Sequence, residues 1–427
     1  MSAGICIMNR YAIALAADSA VTIGPHLAVH NSANKLFSLS NYEPIGLIIY
    51  SSASLMGVPF EIIVKEYKRK LASKSFEKLS DYVEDFISFI EHNASYFRFN
   101  QNEENYIMNV IDDFINLVFN DYKRGIEQKI DKVKRELTEQ ELQKINDLTV
   151  ENVKSFIKKQ KKCIEDDYFS NYINNAYCNK IKERITKLEW LLDEQKEWFY
   201  SIVISLFDTE FFGNNRIGIA ISGYGTNDIY PEMKHMYFGN VINNKLQFYT
   251  VNNVKIDEKI ISYIEPLAQT DVMETFMFGI NNSFVNAIST ELNQSLEKSI
   301  NELDESLFAL NKKKEVEKQL SSLSKIVTDK IVEKAAKEYM KPINISVGYL
   351  PIDELALLAE SMINITSIKR KVVIDQNIGT VGGPVDLAII SKSDGFIWLK
   401  RKHYFDSKLN PQYFNRNPYN RKDGKNE

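Results

Sequence analysis

Three side chains near the start of this chain have the right types to perform acyl transfer together. Ser2 carries a hydroxyl, and trimming of Met1 would put a free α-amino group on the same residue. Asp18 ends the apolar run that closes with Ala16-Ala17, and Lys35 lies in Asn34-Lys35-Leu36-Phe37. A serine hydroxyl is a weak nucleophile until a base takes its proton. An α-amino group, with an unperturbed pKa of about 7.7–8.0, is partly neutral at cellular pH and can be that base. Sharing a residue with the hydroxyl supplies proximity without a histidine. A nearby lysine ammonium favours both the neutral amine and the developing alkoxide, and a buried aspartate would hold the lysine in place.

These residues need a scaffold. Residues 4–8 and 12–16 read as strands around a polar turn at Asn9-Arg10, which delivers Asp18 at the end of a hairpin. Residues 45–50 (IGLIIY) form a continuous apolar run, as expected of a strand covered on both faces. Ser51–Ser54 then turn, and Pro59 opens a helix over 60–71. From 73 to 212 glycine nearly vanishes and the apolar spacing is helical, with Thr138 and Glu141 placed as a capping box. Strand character returns at 217–222, 236–237 and 246–249, then a loop at 265–271 (EPLAQTD) and a helix at 272–279. Leu296, Ile300, Leu303, Leu307 and Leu310, followed by Val316, Leu320, Leu323 and Val327, step like two helical seams of a hairpin. A helix at 351–361 and strands at 385–390 and 396–399 close the pattern.

The order implies an α+β layered core interrupted twice by helices. The expected parts are core at 1–72, a helical insertion at 73–212, core at 213–283, a helical hairpin at 284–345, core at 346–403 and a polar tail at 404–427.

Composition removes several classes of function. With 427 residues, 26% of them charged, the chain can bury a sizeable core. A formal net charge of −4 argues against a general nucleic-acid binder. The three cysteines, Cys6, Cys163 and Cys178, form neither a metal-spaced pair nor a disulfide framework, which fits a reducing, cytoplasmic compartment. Cys6 lies in an alternating strand and reads as a small buried hydrophobe. His26 and His30 are four apart in a stretch with glycine and proline, better read as a polar loop than a metal site, so no metal or cofactor is expected. Gly223-Tyr224-Gly225 lacks a following Walker lysine and reads as a tight turn. No apolar run approaches the ~20 residues of a membrane span. The early apolar stretch has no basic segment before it and is interrupted by Asn9-Arg10, unlike a signal peptide.

The residues also carry a resemblance. LAADSAVTI (15–23), ANKLF (33–37), GLIIYSSASLMGVPFEIIVKEYK (46–68), DELALLAESMINIT (353–366) and VGGPVDLAIISKSDG (381–395) together resemble the proteasome β-subunit family of N-terminal-nucleophile hydrolases, including its bacterial HslV-like branch. The resemblance covers roughly half the chain and leaves out both helical blocks. It implies a four-layer αββα sandwich and an amide-bond hydrolase acting on polypeptides. Ser2 stands for the family's terminal threonine, Asp18 for its acid, Lys35 for its lysine, and a backbone amide at Ser51 or Ser52 for its oxyanion donor, where the family often has glycine. Thr270 or Asp271 stands where a supporting serine is expected. The late support for the amino group departs from the family pattern. Val381 and Ile378 occupy the serine and aspartate places, ahead of Gly382 and Gly383, and Asp375 could substitute only by another loop path. The resemblance further implies a homo-oligomeric ring or spiral and an ATP-dependent unfoldase as partner. Two rival readings remain open at this point: a non-catalytic assembly protein on the same scaffold, and an amidohydrolase of small amides.

Overall fold

The structure, a computed structural model, describes residues 2–23, 28–30, 32–97, 102–214, 216–302, 312–372, 382–403, 405 and 409–410. The first strands are β1 (Ala3–Asn9), β2 (Ile13–Ala17), β3 (Val21–Ile23), β4 (Ala28–His30), β5 (Leu36–Ser38), β6 (Ile45–Ser51), β7 (Ser54–Leu55) and β8 (Val58–Pro59). Helices α1 (Phe60–Leu71), α2 (Leu79–His92), α3 (Ala94–Phe97), α4 (Asn102–Val133), α5 (Glu139–Lys159), α6 (Tyr168–Thr186) and α7 (Asp193–Ser205) follow. Then come β9 (Ile217–Gly223), β10 (Glu232–Ile242), β11 (Lys245–Lys255), β12 (Ser262–Ala268), α8 (Asp271–Phe278), α9 (Asn282–Glu302), α10 (Lys312–Ala335), α11 (Lys341–Gly348), α12 (Ile352–Val372), β13 (Asp386–Ser391) and β14 (Gly395–Lys400).

The fold is α+β, built on two antiparallel five-stranded sheets. The first has the order β12-β1-β2-β13-β14 and the second β11-β10-β9-β6-β5. Strand alternation divides their side chains between three apolar layers. Cys6, Met8, Ile13 and Leu15 of the first sheet meet Ile48, Tyr50, Ala220 and Met233 of the second. On the opposite face of the first sheet, Ile5, Ile7, Ala14 and Ala16 pack against Met273 of α8 and Leu355, Ala359 and Ile363 of α12. The outer face of the second sheet, with Leu47, Ile49, Ile219 and Phe238, is covered by α1 and α2. Burial on both faces is why these strands read as unbroken apolar runs although they are antiparallel.

Helix α1 presents Phe60, Ile63, Val64, Tyr67 and Leu71 to that sheet, with Glu61 in its first turn and Lys68, Arg69 and Lys70 in its last, as the helix dipole favours. The capping box expected at Thr138 is present, Glu141 N–H donating to Thr138 Oγ1 and Thr138 N–H to Glu141. Asn9 fixes the β1–β2 hairpin. Its Oδ1 accepts from Tyr11 and Ala12 N–H, and its Nδ2 donates to the Val347 and Leu350 carbonyls at the end of α11.

Three expectations shift. Residues 265–268 are not loop but part of β12, each pairing with β1. Pro266 obscured this strand, yet an edge strand tolerates a proline because one side of it has no partner to receive an N–H. Helix α2 belongs to the layered core, since Leu79, Tyr82, Phe86 and Ile90 are buried against the second sheet. The helices with a core of their own are α4–α7, around Phe114, Phe169, Phe199 and Phe207. In the second helical block α9 and α10 pack on each other, but Leu323 of the expected seam is exposed while Ser324 and Thr328 are buried. Leu303, Leu307 and Leu310 lie outside the described residues.

The sheets approach closely at Gly46. A Cβ there would stand 2.6 Å from Leu15 Cδ1, 2.7 Å from Ile390 Cδ1 and 3.0 Å from Phe396 Cε2, side chains of three strands of the opposite sheet. Gly46→Val should therefore cost about 1–3 kcal/mol of stability. Urea unfolding should show a lower midpoint at unchanged slope, and an unchanged midpoint would contradict the packing.

Candidate active site

Asp18 lies just past the end of β2 and is 1% exposed. Its backbone N–H donates to the Ala3 carbonyl at 3.0 Å, and its Oδ1 accepts the Ala3 N–H at 2.9 Å. The other oxygen, Oδ2, accepts from Gly382 N–H at 3.1 Å and Ala20 N–H at 3.3 Å. The carboxylate is thus held by backbone from the start of β1, its own loop and the glycine pair before β13. Both glycines have left-handed φ, 155° at Gly382 and 78° at Gly383, conformations L side chains rarely adopt. Ser19 closes the same loop, its hydroxyl donating to the Pro384 carbonyl at 2.6 Å.

Lys35 comes from the opposite sheet. It immediately precedes β5, and its carbonyl accepts Ile49 N–H of β6 at 2.8 Å. Its ammonium donates to Asp18 Oδ1 and to the Ala20 carbonyl, each at 2.5 Å. Only 5% of Lys35 is exposed. Burial lowers the affinity of this ammonium for its proton, the Asp18 charge opposes that, and the charge of Lys402 adds to the lowering.

Ser2 is one peptide unit from this pair, because the amide bonded to Asp18 is that of Ala3. Its carbonyl accepts Gln269 N–H at 3.2 Å, and it is 7% exposed. Gly4 and Cys6 face the opposite sheet, a Cβ at Gly4 standing 3.3 Å from Ile48 Cγ2. Continuing that alternation turns Ser2 toward the same gap between the sheets.

Ser51 ends β6 in a left-handed conformation, φ 71°, which a residue with a Cβ seldom adopts. Ser52 N–H is engaged with the Arg216 carbonyl at 3.3 Å on the β9 side. Amides alternate between the two edges of a strand. Ile49 N–H points to Lys35, so the Ser51 N–H, two residues on, is directed to the same edge. Of the two, Ser51 rather than Ser52 directs its N–H to the edge of β6 that faces Lys35.

Thr270 and Asp271 use their side chains elsewhere. Thr270 Oγ1 donates to Glu274 at 2.6 Å. Asp271 receives Lys369 at 2.8 Å and Arg370 at 2.5 Å, tying α8 to α12. Burial would raise the Asp271 carboxyl, but hydrogen bonding and charge from Lys369 and Arg370 hold it below the usual range. From this segment the Gln269 N–H donates to the Ser2 carbonyl. Asp375, Ile378 and Val381 lie outside the described residues, as does His26.

A second ion pair adjoins the first and was not foreseen. Asp386 opens β13 opposite Ala17 and binds both the ammonium and the N–H of Lys402, the latter at 3.0 Å. An aspartate heading the apolar strand VDLAII was the available signal. Cys6 is fully buried between the sheets, where burial pushes its thiol far above the ordinary value. Among the described residues no group of three His, Cys, Asp or Glu could hold a metal ion, and no helix is long and apolar enough to cross a membrane. No protein-family model matches the chain, and no curated protein matches it.

Two outcomes follow from the buried pair. Asp18→Asn should destabilise the fold by about 3–5 kcal/mol because it leaves an uncompensated buried ammonium. Adding Lys35→Met should recover part of this in urea unfolding, and no recovery would contradict the pairing. The second concerns pH. Lys35 has a folded pKa below its ordinary 10.5, so between those values the unfolded chain binds more protons. Stability from this group then rises with pH across that interval. The stability difference between wild type and Lys35→Met should shift in favour of the wild type as pH climbs toward 10.5, whereas a flat difference would refute a lowered pKa.

Proposed function

We propose that this protein is a proteasome-like N-terminal-nucleophile hydrolase that cleaves amide bonds of polypeptides through an acyl-ester on Ser2, on an αββα sandwich of that family. The observation that carries the reading is the buried Asp18–Lys35 pair, joined through Asp18 Oδ1 to the amide that follows Ser2. Removal of Met1 frees the Ser2 amine. Ser2 Oγ then attacks the substrate carbonyl carbon while the α-amino group takes the hydroxyl proton. The oxyanion is met by the Ser51 N–H. Collapse breaks the C–N bond, and the departing amine leaves with the proton returned by the α-amino group. Water, deprotonated by the same amine, hydrolyses the ester and restores Ser2. Lys35 favours the neutral amine by its charge, and Asp18 fixes Lys35.

The left-handed φ at Ser51 supports the oxyanion assignment, since this is where the family often carries glycine. The Gly382 N–H supports the proposed acid by donating to Asp18 Oδ2. A homo-oligomeric ring or spiral, an unfoldase partner and a cytoplasmic location belong to the same proposal and rest on the resemblance.

Mass spectrometry of the native protein should find a free amine on Ser2. Ser2→Ala should lower kcat/KM for peptide hydrolysis on the order of 10³-fold or more. Cys6→Ala should leave it nearly unchanged. Full activity with Met1 retained or Ser2 acetylated would overturn the mechanism. Cleavage of acylated small molecules without cleavage of peptides would favour the small-amide reading, and biological activity intact in Ser2→Ala would favour an assembly role.

A further inference from the structure

A sizeable cleft lies not at Ser2 but farther along the same end of the second sheet. It encloses about 890 Å³ between β10, β11, the loop before β9 and helices α4 and α5 of the helical block. Its position relative to the site follows from strand pairing. Leu36 pairs with Ile48, which sets Lys35 opposite Ile49; Ser51 pairs with Ile217, and Tyr50, Gly218, Tyr237 and Tyr249 oppose one another, so Lys35, Ser51, Arg216, Tyr237 and Tyr249 lie within three residues of one level at the same sheet end. Strands are spaced about 4.8 Å apart, so the four intervals from β5 to β11 cover about 19 Å. An extended peptide rising about 3.3 Å per residue would cross that distance in five to six residues.

The cleft is lined by cationic and aromatic side chains. Arg124, Lys161 and Arg216 line it beside two carboxylates, Asp113 and Glu210. Asp113 is already committed to Asn214, accepting its N–H and its side-chain amide at 2.7 Å each. The Glu210 carboxylate accepts the Lys161 N–H at 3.4 Å. The Arg216 guanidinium lies 4.4 Å from the centroid of the Tyr237 ring, and Tyr249 is 5.5 Å from Tyr237 and 5.3 Å from Phe212. One wall is the free edge of β11. There the register with β10 shifts between His235–Asn252 and Met236–Thr250, leaving Val251 as the extra residue of a bulge, 41% exposed in the cleft wall. Edge strands of this kind accept extended peptides through main-chain pairing.

The floor is held rigid from beneath. The Tyr50 ring lies 5.8 Å from that of Tyr237, and its hydroxyl is 2.5 Å from His235 Nε2. His235 Nδ1 is 2.7 Å from Glu265, which also accepts from Tyr263 and Asn252. Gly218 leaves room for that ring, since a Cβ there would stand 2.0 Å from Tyr50. A pre-ordered floor reduces the ordering cost of binding.

We propose that this cleft is a substrate-docking site that binds an extended, acidic polypeptide segment several residues from the scissile bond, which rests on the reading of the chain as a peptide hydrolase. The helical block thus supplies one wall of a recognition site rather than a bare spacer. Net charge is consistent with selectivity by local charge alone, because the chain as a whole is at −4 and repels acidic segments elsewhere.

The test separates binding from catalysis. Fluorescence anisotropy is measured on the full-length Ser2→Ala protein with a labelled peptide of about ten residues carrying glutamates, and with the same peptide carrying lysines in their place. The acidic peptide should bind about tenfold tighter or more, and the preference should weaken as salt rises. Arg124→Glu with Lys161→Glu, both exposed positions that folding tolerates, should abolish the preference. Tyr249→Ala should weaken binding of the acidic peptide, and Lys187→Glu, an exposed site outside the cleft, should leave it unchanged. Equal affinity for the two peptides, or a preference that survives the charge reversals, would overturn the docking site. Because binding is read without turnover, absence of hydrolysis by the wild type would count against the hydrolase reading alone.

Discussion

The arrangement depends on one buried ion pair that spans the two sheets. Asp18 ends a strand of the first sheet, Lys35 begins a strand of the second, and neither is more than 5% exposed. Such a pair is stable only when geometry and extra hydrogen bonds offset the loss of water. Here three backbone N–H groups and the Ala20 carbonyl supply those bonds. Each comes from a different constraint. The Ala3 amide fixes the start of β1, and Ala20 fixes the loop after β2. Gly382 can approach only because its backbone is left-handed. The residue before Ala3 therefore has little freedom, and that residue is Ser2. The arrangement that neutralises two buried charges thus also fixes the backbone next to Ser2.

The layered core was largely legible from the chain alone. Strands covered on both faces give unbroken apolar runs such as IGLIIY, and α1 shows its buried stripe at helical spacing. Within the candidate site, the pairing of Asp18 with Lys35 was legible because it depends on residue type and order. What escaped depends on contacts between distant residues. Asp271 is an acid in a plausible place, yet it pairs with Lys369 and Arg370 almost a hundred positions away. The Asp386–Lys402 pair needed the fold to bring β13 beside β2. Strand β12 was hidden by Pro266, whose cost vanishes at a sheet edge. Helix α2 resembles its successors in composition, and only packing assigns it to the second sheet.

The helical block and the site meet through the sheet. Arg216 accepts the Ser52 amide with its carbonyl and places its guanidinium over Tyr237 in the cleft. Tyr50, one residue before Ser51, anchors on His235 and Glu265 between the sheets. The left-handed turn at Ser51 is thus braced on one side by the cleft wall and on the other by a buried polar network. On the proposed reading, substrate recognition and the oxyanion donor share this brace.

The central claim is that Lys35, held by Asp18, activates Ser2. Its most direct test is intact-mass analysis of the full chain, its terminus verified as Ser2, after brief exposure to an activated peptide ester. The account predicts one acyl adduct that maps to Ser2 and forms far more slowly in Lys35→Met. An adduct on another residue, or equal rates of acylation with and without Lys35, would contradict it.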